Sequence, residues 1–144
     1  MATREQAIAA VAARLTTQCP TATVERARRA PVDTDTERLP RLVVTAVDWQ
    51  ADNTVEPLVI HNTLSLAVTG YAKARTDVLA EQALGTLHAL VVAALSGWTP
   101  SVDGLGDLVD EGADFLLIDA EDSKTPAGEF TARFSMLVLA PMGA

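Results

Sequence analysis

The residues that could carry chemistry are two histidines, one cysteine and a run of acids. His61 and His88 stand 27 positions apart, and Cys19 is the sole cysteine. A zinc site needs three or four ligands in a fixed geometry, and no cysteine pair is present to complete one. Asp103, Asp107, Asp110, Glu111 and Asp114 supply the oxygen atoms a hard cation prefers. Their spacing does not follow the D-x-D-x-D-G loop with a closing Glu that binds calcium. The stretch DGLGDLVD (103–110) holds Gly104 and Gly106, but Val109 occupies the third glycine position of a dinucleotide fingerprint. Neither a G-x-x-x-x-G-K-[ST] phosphate loop nor a G-x-S-x-G nucleophile elbow occurs. Ser65 lies in an alternating stretch with no evident base, and Cys19 precedes a proline with no neighbouring histidine. Pairs of carboxylates arise by chance in an acidic chain and do not indicate glycosidase chemistry. The expectation is a protein that is not an enzyme, with no catalytic residue, cofactor or metal.

The remaining charged residues point to surfaces. The net charge is −8, which opposes general attraction to nucleic acid. Seven of the 11 basic residues fall in the first 41 positions: Arg4, Arg14, Arg26, Arg28, Arg29, Arg38 and Arg41. Residues 103–122 hold eight acids and no base. One subunit therefore carries a positive and a negative region, suited to head-to-tail self-assembly or to a charged partner; the plainer alternative is two solvated surfaces. Arg26 and Arg28 should share one strand face, as a docking surface or as charges that guard an edge strand. A lone cysteine suits a reducing compartment. The N-terminal stretch is broken by Arg14 and lacks the apolar region of a signal peptide. No apolar run is read as approaching the ~20 residues of a membrane span.

The elements that must position these residues follow from periodicity. At 144 residues the chain fits one domain, 1–144, whose core is rich in Leu, Val and Ala and has only six aromatic residues in the whole sequence. Thr3 caps a first helix, with Gln6 completing a capping box and Ile8, Val11, Ala12 and Leu15 on one face. The helix should stop before Pro20. Residues 21–29 predict an edge strand, and 30–40 a loop bounded by Pro31 and Pro40. LVVTAV (42–47) predicts a short buried strand, followed by a hairpin loop over 48–57. The strand 58–71 puts Ile60, Asn62, Leu64, Leu66, Val68 and Gly70 on a dry face. Thr76 or Asp77 opens a helix whose stripe spans Val78, Leu79, Ala83, Leu84, Leu87, Leu90, Val91, Ala94 and Leu95, with Gly97 ending it. That stripe exceeds the ~100° of an ordinary surface helix, so a neighbour should cover part of it. A short strand near 105–109 and strands at 113–119 and 128–140 follow, the last two forming an antiparallel hairpin. The fold class is α+β: a mainly antiparallel sheet of about five strands with two helices on one face, in the order α-β-β-β-α-β-β.

This order and texture resemble the tail terminator proteins of long-tailed phages, the minor tail protein U-like family. LPRLVV (39–44), LAVTGYAKA (66–74) and ADFLLID (113–119) carry the resemblance, which covers residues 3–140. It implies a structural virion protein without cofactor or catalysis. Such proteins form a ring, commonly of six subunits, at the head-proximal end of the tail tube. The ring ends tube polymerisation and meets the head-side connector, so the implied partners are other copies, tail tube protein and a connector or neck protein. DNA would pass through without specific binding and no membrane would be involved. The implied location is the virion tail or neck, and the host cytoplasm during assembly. Two other readings stay open: another neck, head-completion or tail-completion connector subunit, and a small cytoplasmic α+β ligand-binding dimer.

Within the ring reading, subunit or partner contacts are expected at Arg28 and Arg29, at Asp33, Asp35 and Glu37 in the loop after them, and at Glu121, Asp122 and Lys124 in the last turn. Trp49 is a large aromatic in a polar stretch, an interface anchor or simple packing under its own hairpin. Asp103, Asp107, Asp110 and Glu111 would face the lumen and repel passing DNA.

Overall fold

The computed structural model describes residues 1–52 and 59–141. Helix α1 spans Arg4–Gln18 and opens on the expected capping box. The Thr3 hydroxyl accepts from the Gln6 N–H at 3.2 Å, and the Gln6 side chain accepts from the Thr3 N–H at 2.9 Å. Two orphan donors of the first turn are thus satisfied reciprocally. The helix buries Ala7, Ile8, Val11 and Leu15 and stops at Cys19, because Pro20 cannot continue it.

Five strands form one sheet: β1 (Thr23–Arg26), β2 (Arg41–Asp52), β3 (Val59–Lys73), β4 (Val109–Leu117) and β5 (Ala127–Pro141), in the order β1-β2-β3-β5-β4. Helix α2 (Asp77–Leu95) lies between β3 and β4 in the chain. All pairings are antiparallel except β1 with β2, which is parallel. A parallel pair needs a crossover of a dozen or more residues. Residues 27–40 supply it as an irregular strap across one end of the sheet, ending in a cis Leu39–Pro40 peptide before β2.

Both helices cover the same sheet face. α1 packs on β1 and β2, α2 packs on β3, β5 and β4, and the helices touch each other. Arg14 donates to the Ala94 carbonyl at 3.0 Å and lies 5.1 Å over the Trp98 ring, joining the two helices by a hydrogen bond and a cation–π contact. Beneath them Leu42, Val44, Leu64, Leu66, Val68, Phe130, Phe134, Met136 and Val138 form the buried face. Gly70 pairs with Phe130, and the Phe130 ring lies where a Cβ on Gly70 would stand. The other face carries Thr45, Ser65, Thr69, Tyr71, Thr131, Arg133 and Ser135, none of them buried.

Several expectations are corrected. The short strand 42–47 is a twelve-residue strand that absorbs Asp48–Asp52 from the expected hairpin loop; the rest of that loop, 53–58, lies outside the described residues. A bulge between Ala46 and Asp48 hid the strand's continuation. The extra residue, Val47, is exposed, and alternation resumes one step later with Trp49 opposite Leu64 on the core face. Leu105 makes only an isolated bridge to Val138, so the short strand expected near 105–109 does not form; the strand expected at 113–119 is the later part of β4, which starts at Val109 and is bulged between Asp110 and Ala113.

α2 is turned differently from the predicted stripe. Ala80, Leu84, Leu87, Val91, Ala94 and Leu95 face inward, while Val78, Leu79 and Leu90 are exposed. Gly97, at φ 73°, follows the helix, and its N–H reaches the Leu108 carbonyl at 2.9 Å. Contrary to the sequence reading, α2 is long and apolar enough to cross a membrane by length and composition alone. In this fold it lies across the sheet instead.

Candidate functional site

The two loops singled out from sequence, the strap and the β4–β5 connection (118–126), are fastened to each other at one end of the sheet. The Asp35 carboxylate accepts the N–H groups of Lys124 at 3.0 Å and Thr125 at 3.2 Å. These two amide bonds, that of Lys124 first, hold its pKa below the ordinary carboxylate value. Thr34 and Ser123 are both buried, and the Thr34 hydroxyl donates to Ser123 Oγ at 2.6 Å. Ser123 in turn donates to the Thr125 carbonyl at 2.7 Å, and Lys73 Nζ donates to the Thr34 carbonyl at 3.2 Å.

The strap also closes on β1. Arg28 donates to Glu37 Oε2 at 2.6 Å and to Glu25 at 3.0 Å, and Glu25 accepts from Arg41 at 2.7 Å. Glu37 also accepts the Asp33 N–H at 2.6 Å. The Arg28 guanidinium first, and that amide second, hold the Glu37 carboxyl below its usual value. Arg26 points elsewhere, making a two-pronged contact with Glu5 of α1 at 2.6 and 2.9 Å. Arg26 and Arg28 therefore do not share a strand face. Ala27, at φ 49°, turns the chain between them.

Of the expected contact residues, Arg28, Asp35 and Glu37, together with the Asp33 and Lys124 backbone, are occupied in holding the chain's own loops. Arg29, Glu121 and Asp122 are exposed beside them. Trp49 is half-buried and packs against the core. The four expected lumen acids are exposed but do not converge. Asp103 takes the N-terminal ammonium at 2.6 Å, Asp107 bonds Thr99, Asp110 accepts the Gly112 N–H at 2.8 Å, and Glu111 accepts from Ser135 at 2.7 Å. Among the described residues no three His, Cys, Asp or Glu side chains are grouped to hold a metal ion. His88 instead packs edge-on against Phe115 and Phe130, with centroids 4.9 and 5.2 Å away. Cys19 is buried, which pushes its thiol pKa up and away from reactivity.

The surface that sequence reasoning missed is the β4 edge. Phe115, Leu116 and Leu117 are 52%, 53% and 41% exposed, although three consecutive large apolar residues in a strand would normally be covered on at least one face. Grooves flank the edge on both faces. One of about 330 Å³ lies between β4 and α2, lined by Glu81, Leu84, Gly85, Phe115 and Leu117. Another of about 610 Å³ lies between β4 and the strap, lined by Pro31, Val32, Tyr71, Leu116, Ile118 and Glu129 among others. The run FLLI between acids was the available signal. It reads equally as a central strand buried on both faces, and only the sheet order shows that it is an edge.

This arrangement offers surfaces for binding chains. No protein-family model matches the sequence, and no curated protein does. Among solved structures, the fold is similar to a chain from the virion of a native gene transfer agent particle. That similarity has a TM-score of 0.58 at 16% identity and covers 92% of this chain and 93% of the other.

Proposed function

We propose that this chain is a structural virion protein, and more narrowly a tail terminator. Copies form a ring, six by the family resemblance, at the head-proximal end of the tail tube. The ring stops tube growth and presents the joint to the head-side connector. The observation that carries this reading is the likeness of nearly the whole chain, end to end, to a single chain of a phage-like particle. Two features support it. An apolar strand edge with a groove on each face suits protein partners. The loops at one end of the sheet are fixed by hydrogen bonds and ion pairs, giving a firm platform on which another protein can sit. The role is non-enzymatic, the partners are other copies, tube protein and connector protein, and the location is the virion after assembly in the host cytoplasm.

The test is co-assembly with tail tube protein, followed by negative-stain imaging. The expected result is tubes carrying an extra ring at one end only, and no further growth when fresh tube subunits are added. Tubes that keep growing would overturn the terminator role. A ring that binds an isolated connector but never a tube would instead favour a connector subunit.

A further inference from the structure

We infer that the β4 edge, with Gly85 of α2 beside it, is the docking surface for a second copy of this chain, which enters through its own β1 edge. The inference rests on the ring reading and deepens it by naming the two surfaces that meet.

The backbone is prepared for an added strand. Ile118 N–H donates inward to the Ala127 carbonyl at 2.9 Å. Alternation therefore turns the amides of Ala113, Phe115 and Leu117 outward, away from β5. At the opposite end of the sheet, Thr23 and Ala27 donate inward to Pro40 and Val44, which leaves the amides of Val24 and Arg26 facing out. The straight part of β4 after its bulge, Ala113–Leu117, is about as long as β1. An incoming strand would place alternate side chains in the α2 groove and in the strap groove.

Gly85 is the independent observation. It sits inside a nineteen-residue helix, where glycine is unfavourable, yet a Cβ there would meet nothing within 4 Å. No neighbour among the described residues requires it. A bare backbone facing an apolar groove is what close approach by another molecule requires.

Charge selects the pairing. Residues 110–122 hold six acids and no base. A two-fold contact of β4 with β4 would set those acids against themselves. The β1 end instead offers Arg29 and Arg38, exposed and without an ion pair among the described residues. Unlike edges meeting head to tail make a heterologous contact, which closes into a ring when the rotation allows.

The experiment uses the full chain. Gly85→Arg should fold normally, with an unchanged circular dichroism spectrum, but self-associate at least ten-fold more weakly by light scattering. Separately, Thr23→Cys and Leu116→Cys proteins are mixed and treated with a bismaleimide; both positions lie on the open sheet face, and Cys19 is buried. Cross-linked dimer should form in the mixture and in neither protein alone. Leu116→Cys cross-linking to itself would overturn the head-to-tail arrangement. Undiminished assembly of Gly85→Arg would overturn the docking surface and leave the ring reading standing. A wild-type chain that stays monomeric alone and with tube protein would overturn both.

Discussion

Two glycines and two carboxylates show how single residues divide between fold and function. Gly70 is required by its own chain, because the Phe130 ring occupies the space a Cβ would take. Gly70→Ala must push that ring out of a fully buried site and should lower stability by about 1–3 kcal/mol in chemical denaturation. Gly85 is the opposite case. Gly85→Ala relieves the helix and meets nothing, so it should raise monomer stability by roughly 0.5–1 kcal/mol. An unchanged midpoint for Gly70→Ala, or a lowered one for Gly85→Ala, would contradict these assignments. Asp35 and Glu37 set the response to acid. Both carboxyls have folded pKa values below their unfolded ones. Their contribution is therefore complete above the unfolded carboxylate range, near pH 4, and is lost as pH falls through the depressed folded values. The attachment of the strap should hold from neutral pH down to about pH 5 and release below about pH 4. Hydrogen exchange at the Lys124 and Thr125 amides would report it, and Asp35→Ala, which removes their acceptor, should leave those amides poorly protected even at neutral pH.

At the scale of elements, the parts legible in the sequence were those with local rules. The capping box at Thr3, the cap at Thr76 and the alternation of β3 and β5 depend on neighbours a few positions away, and each formed as read. What was not legible depended on partners distant in the chain. Val47 breaks the period of β2, so the strand seemed to end where it only bulges. The rotation of α2 was misjudged because alanine fits either face; Ala80 went inward and Val78 outward. The strap residues were recognisable as charged loop residues, but their engagement with a turn some 90 positions later was not. β4 hid its role for the same reason, since edge or centre is a property of sheet order. The candidate site was thus visible as a list of charges and invisible as an apolar edge.

At the scale of the whole molecule, the four acids expected to face a lumen separate into two pairs. Asp110 and Glu111 sit in the bulge of β4, at the head of the proposed docking edge. Asp103 and Asp107 precede it, tied among the described residues to the N-terminal ammonium and to Thr99 at the surface. Exposed pairs of this kind contribute little to stability, so replacing these two acids should leave the fold intact. A charge facing a neighbouring subunit acts on association, whereas a charge facing a channel acts on what passes through it. Asp110→Lys with Glu111→Lys should therefore weaken ring formation in light scattering, by placing bases opposite the arginines of the β1 end. If Asp103 and Asp107 line the channel, as the ring proposal expects, Asp103→Lys with Asp107→Lys should allow rings and complete particles to form but slow DNA release, because the wall would then attract the phosphate backbone instead of repelling it. The release rate can be followed by dye fluorescence on purified particles, and the slowing should shrink as salt is raised. Release at the wild-type rate from particles carrying the second pair would remove Asp103 and Asp107 from the channel wall while leaving the interface assignment of Asp110 and Glu111 to stand on the assembly data alone.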